Sequence, residues 1–265
     1  MPPSQVPQDL ASQLQFALRT HTLPTPSKPW LRALIPNRIP PPPLASLIAT
    51  ARTRLLAADL TTTGLLEPSY AAEHSMPSNI VNNPEIDKGR IPRDVVVQVL
   101  DVGNISRSRW EQVEELEAIE RGEQTRGREV IRLPVAAEDG DEEGVGVGNG
   151  ADGEGGGGGG GWAGAGNQNN NANAAAKATH KLVLQDCKGT KMIGIELKRV
   201  EQIAIGKTNI GEKMILRKDS KLARGVVLLE PNYCHVLGGK VEAWHKVWVE
   251  GRLARLKEAA GVQER

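Results

Sequence analysis

DVVVQVL, from Asp94 to Leu100, is the stretch on which the fold turns. Its run of β-branched side chains reads as a strand. One strand has no stability by itself, so it needs partners elsewhere in the chain. The next strand-like run, KLVLQD, begins only at Lys181. Pairing the two makes everything between them an insertion inside one domain rather than a linker between two. Hairpin loops ordinarily need about 2–5 residues, so an insertion over residues 109–178 calls for a role beyond connection.

Within that insertion, ISRSRWEQVEEL carries Ser108 and Glu111 in a capping-box arrangement, which predicts a helix to about Arg121. Farther on the chain reads DGDEEGVGVGNGADGEGGGGGGGWAGAGNQNNNANAAAK, from Asp139 to Lys177. So many glycines and so few apolar side chains cannot form a core, and disorder is expected from about residue 134. A flexible stretch of that length has an end-to-end distance of roughly 35–40 Å.

Downstream of the insertion, short strands are expected at 181–186, 191–197, 213–217, 225–229 and 234–237, and a final helix over Val241–Ala260. Strands this few and this short suit a small closed barrel of the OB type. Upstream, helices are expected over Asp9–Leu18, from Ser27 as N-cap, and over Leu44–Leu60, with polyproline II at Ile39–Pro43 as a stiff spacer. The predicted fold class is α+β: a helical unit (1–64), an irregular connection (65–92), and an OB-type domain (93–265) with a long insertion between its first two strands and a C-terminal helix.

Composition narrows the function. The chain has 265 residues and a net charge of +1, but the charge is unevenly spread. Seven acids fall between Glu138 and Glu154, whereas Lys177–Arg265 holds 18 Lys/Arg against 10 Asp/Glu. That surplus points to nucleic acid or an acidic partner. The acid-free, Arg-bearing tract 10–58 has transit-peptide composition, yet its proline run and helical periodicity favour folded structure. No run of 18 apolar residues occurs, so no membrane-spanning helix is expected. Cys187 and Cys234 match no metal or disulfide spacing, which suggests a reducing compartment. Catalytic motifs, cofactor loops and metal-ligand spacings are not found, so no enzyme activity or cofactor is expected.

Several stretches together carry a family resemblance: PWLRALIP at Pro29, QVLDVGNISRSRWEQVEEL at Gln98, KLVLQD at Lys181, and RGVVLLEPNYCHVLGGKVEAW at Arg224. In these the chain resembles the RecQ-mediated genome instability protein 1 family. The resemblance implies a helical unit leading into an OB-fold whose strand 1–2 loop reaches into the gate of a type IA topoisomerase. It further implies a non-catalytic nuclear subunit that holds topoisomerase III and a RecQ-type helicase together. Such a complex serves DNA repair, recombination and replication by dissolving double Holliday junctions and decatenating DNA, contacting DNA mostly through the assembly. The expected partner contacts are the amphipathic start of the loop, with Arg109, Trp110, Val113 and Leu116, and, by resemblance, Lys213 and Arg217. Larger members carry a second OB-fold that is not read here, so the resemblance carries over no expectation for a partner held through it. The alternative reading is a general single-strand-binding OB protein. Lys181–Leu197 has no aromatic side chain to stack a base, which weighs against it, although Lys191, Lys198, Arg199 and Lys213 remain candidate phosphate contacts.

Overall fold

The computed structural model describes residues 6–36, 40–80, 83–85, 87–122 and 178–261. In chain order the elements are α1 (Val6–Thr20), α2 (Lys28–Leu34), α3 (Leu44–Ala57), α4 (Pro68–Glu73), β1 (Gly89–Arg90), β2 (Val95–Asn104), α5 (Arg109–Glu120), β3 (His180–Asp186), β4 (Lys191–Glu196), β5 (Lys213–Leu216), β6 (Lys221–Ala223), β7 (Val226–Leu229), β8 (Cys234–Gly238), α6 (Glu242–Glu250) and α7 (Arg252–Ala260). They fall into two compact units, Met1–Val113 with Lys177–Arg265, and Glu114–Ala176. Of the second unit the described part is 114–122, the continuation of α5, with Arg121 3.7 Å from Glu117. The glycine- and acid-rich stretch lies outside the described residues.

β2 does what its sequence demands. It pairs antiparallel with β3 (Val97 opposite Asp186, Asn104 opposite His180) and with β5 (Val95 opposite Leu216, Gln98 opposite Lys213). The strand order is β1-β6-β7-β4-β3-β2-β5-β8, with β4 and β7 parallel. In a flat sheet β7 and β8 would stand five interstrand steps apart, roughly 24 Å. The chain from Leu229 to Cys234 spans at most about 18 Å. The sheet therefore has to curl, and the inward side chains Val95, Val97, Val99, Leu182, Leu184, Leu216, Val227 and Leu229 fill the space it encloses. No ladder joins β7 to β8 among the described residues, so the barrel is a curled open sheet rather than a fully closed one.

The outer face of β2 explains why it is a continuous apolar run. Val96 points outward into a second core made by Leu14, Leu18, Leu31, Leu47, Leu55 and Leu60 of the helical part. Gln98 also points outward and is fully buried. Its Oε1 accepts from Leu60 N–H at 2.9 Å, while its Nε2 donates to Asp59 Oδ1 at 2.7 Å and to Gln185 Oε1 at 3.1 Å. One polar side chain thus satisfies the end of the α3 segment and locks it to the barrel. Ser27 N-caps α2, accepting from Trp30 N–H at 3.3 Å.

Several expectations need correction. β2 is longer than 94–100, running to Asn104 with an irregularity between Val99 and Asp101. The connection 65–92 contains α4 and β1, and β6 is a further three-residue strand. These short pieces are stabilised by neighbours, not by their own periodicity. The single final helix is two, broken at Gly251.

Candidate protein-interaction surface

The root of the insertion is built by hydrogen bonds that tie its outgoing and returning ends together. Past the last pair, Asn104 with His180, Ile105 N–H donates to Thr179 O at 2.9 Å and Thr179 N–H to Ser106 Oγ at 2.7 Å. α5 then starts with the reciprocal cap read from its sequence: Ser108 N–H donates to Glu111 Oε2 at 2.9 Å, and Glu111 N–H to Ser108 Oγ at 3.2 Å. Gln112 Nε2 reaches back to Asn104 O at 3.1 Å and Arg107 O at 3.2 Å, sewing the turn to the helix. Arg109 Nη1 donates to Ala259 O at 2.5 Å, placing the helix start beside the end of α7.

Two large apolar side chains are left in solvent at this root. Ile105 is 49% exposed and Trp110 53%. Val113 and Leu116, read as contacts alongside Trp110, are buried instead at 2% and 8%. Burial removes both from reach, so a partner docking on this conformation meets Trp110 and Arg109 but not them.

Lys213 and Arg217 divide in the same way. Lys213 has no exposed surface, and its Nζ donates to Gly211 O at 2.6 Å. Burial pushes its ammonium pKa down to about 8, with Asp59 acting in the opposite sense. It is neither a solvated strand residue nor a reachable contact, and it touches no phosphate from this position. Arg217 is partly exposed and pairs with Asp94 Oδ2 at 2.8 Å. Burial raises the Asp94 carboxyl, but the Lys218 amide and Arg217 outweigh it and hold it below the usual range. Asp94 precedes β2 and Trp110 follows it, so the ten-residue strand separates the two places by roughly 30 Å. They do not form one site. Arg217 and Asp94 instead line a cleft of about 460 Å³ with Arg19, Lys28, Tyr70 and His74.

Other titratable groups are held in the framework. Glu196 accepts from His180 at 2.7 Å and from Arg199 at 2.7 Å. This removes Arg199 from the candidate phosphate contacts. Asp186 accepts from the amides of Met76, Lys188 and Thr190 at 2.8–2.9 Å, a knot that no local motif announces because one donor is 110 positions away. Cys187 and Cys234 are buried, which pushes their thiols up to about 11 and about 12, so neither is a thiolate near neutral pH. Among the described residues no group of three His, Cys, Asp or Glu side chains is placed to hold a metal.

Comparison with known proteins follows the same division. Residues 18–63 match the family described as RMI1, N-terminal helical domain, and residues 72–252 match RMI1, N-terminal OB-fold domain. The RecQ-mediated genome instability protein 1 of Schizosaccharomyces pombe (strain 972 / ATCC 24843) is 32% identical over 164 residues, 62% of this chain. The match spans 63% of that relative's length. Since the OB-fold family alone covers more than half of the chain, with the helical family directly before it, this protein belongs to the RecQ-mediated genome instability protein 1 (RMI1) family.

Proposed function

We propose that this protein is a non-catalytic scaffold and regulatory subunit of a genome-stability complex in the nucleus, binding topoisomerase III and a RecQ-type helicase. In this reading the insertion between β2 and β3 modulates the topoisomerase gate during double Holliday junction dissolution and decatenation. The observation that carries it, beside family membership, is the root of the insertion. Its ends are tied between adjacent strands, and Trp110 and Ile105 stand in solvent there. An exposed Trp beside an Arg has the chemistry of an interface anchor.

Regulation needs a difference in binding between gate states. A loop that binds the open gate 1.4 kcal/mol better than the closed one shifts the equilibrium about tenfold, while equal binding shifts nothing. The test is co-elution of the full chain with its cognate topoisomerase III, repeated with residues 122–176 replaced by a short linker. A stable complex, with decatenation weakened by the replacement, is the expected result. Trp110→Ala is expected to weaken the complex about tenfold while leaving the melting temperature unchanged. No complex at micromolar protein sinks the proposal.

A further inference from the structure

Among the described residues no element covers the outer face of the barrel beside the helical part, yet its half-buried side chains are aliphatic. Strand register sets them in rows. Val183, Ile193 and Val226 are successive partners across β3, β4 and β7, with Ala223 of β6 next in line. The adjacent row runs Lys181, Ile195, Leu228, Lys221. Leu197, just past the end of β4, is 49% exposed. None of these apolar side chains belongs to either buried cluster or packs against one. An antiparallel sheet with one solvated face normally alternates apolar-in and polar-out. Here the inward positions Leu182, Leu184, Met192, Val227 and Leu229 fill the core, and the outward ones are apolar as well. On the neighbouring β2 the outward Val96 is covered by the helices.

The border of the patch identifies what packs there. Lys181 and Lys221 end one row, and Lys191, opposite Gln185, borders the other. Lys198 lies beyond it, 68% exposed. Two acids adjoin, outnumbered by the four lysines. Glu230 is 6% exposed and held by Lys198 at 3.2 Å and Lys221 at 2.8 Å, while Asp101 accepts from Trp248 Nε1 at 2.6 Å. A second copy of this chain would bring lysines against lysines, which is unfavourable. A nucleic-acid strand would find phosphate partners but no aromatic platform, because the patch holds only aliphatic side chains.

We propose that the outer face of β3, β4 and β7 docks a segment of a partner protein that presents an aliphatic ridge bordered by carboxylates. The inference rests on the scaffold reading above, with the topoisomerase supplying that segment at a surface distinct from the root of the insertion. Its test is titration of the full chain with topoisomerase III at two salt concentrations, using Ile195→Glu and Lys181→Glu. Ile195→Glu is expected to weaken binding at least tenfold and Lys181→Glu severalfold, the second effect larger at low salt. Circular dichroism melts establish that both variants fold, and if Ile195→Glu does not, Leu197→Glu replaces it at an exposed position. Wild-type affinity in all variants overturns the docking face and leaves the scaffold reading standing. Failure of the wild-type chain to bind sinks both. Variants that keep the topoisomerase but lose a single-stranded oligonucleotide make the face a nucleic-acid surface and overturn the proposal.

Discussion

Lys213 is a charged side chain with no exposed surface, and its position makes stability depend on pH in a defined direction. Its pKa is pushed from 10.5 down to about 8 by burial. Below pH 8 folded and unfolded chains both carry the proton, and the folded state bears the whole cost of burying it. Between pH 8 and 10.5 the unfolded chain still binds the proton that the folded one has released, so stability rises with pH. Thermal melts of wild type and Lys213→Met are expected to converge or cross in the wild type's favour across that window. A constant difference would mean that the ammonium is solvated. Glu196 runs the other way. Burial raises its carboxyl, but the bonds from His180, the Val200 amide and Arg199 outweigh it and hold it below the ordinary 4.5. Its stabilisation is complete above that value and is lost as pH falls through the lower folded one. Glu196→Gln leaves Arg199 without its counter-charge and is expected to cost about 3–5 kcal/mol at neutral pH by denaturant melts. That gap narrows below pH 4.5, where the wild type loses its own pair.

At the scale of elements, the seam between helices and barrel rests on close backbone approach. Gly239 has φ +94°, and a Cβ there would lie 2.4 Å from Leu56 O of α3. Both the backbone angle and the space require glycine. Gly239→Ala is expected to cost more than about 2 kcal/mol and lower the melting temperature by roughly 4–8 °C. Unchanged melting would show that the seam yields easily. The capping box of α5 and the Ser27 cap of α2 were legible because each is a local pattern with a local cause. β1 and β6, of two and three residues, were not. They exist because Gly89 and Arg90 pair with Leu222 and Lys221, which no window of sequence contains.

Over the whole molecule, the insertion leaves and re-enters between adjacent strands whose pairing does not depend on it. Replacing residues 123–177 by a short linker is expected to change the melting temperature by less than about 2 °C, because loop length alters closure entropy only slowly. A large drop would mean that the insertion packs on the domain. The lone strand at Asp94–Leu100 already dictated this topology: a β-branched run needs partners, and partners of that kind lay only beyond residue 180. The sequence by itself therefore determined the fold class and the inserted position of the loop, since these follow from periodicity and from the need to pair strands. Only the tertiary structure decided which candidate contacts are reachable. It buried Val113, Leu116 and Lys213, left Trp110 and Ile105 in solvent, and set Arg217 at the opposite end of β2. The physical reason is that exposure belongs to the surroundings of a side chain, and those surroundings are supplied by residues far away along the chain.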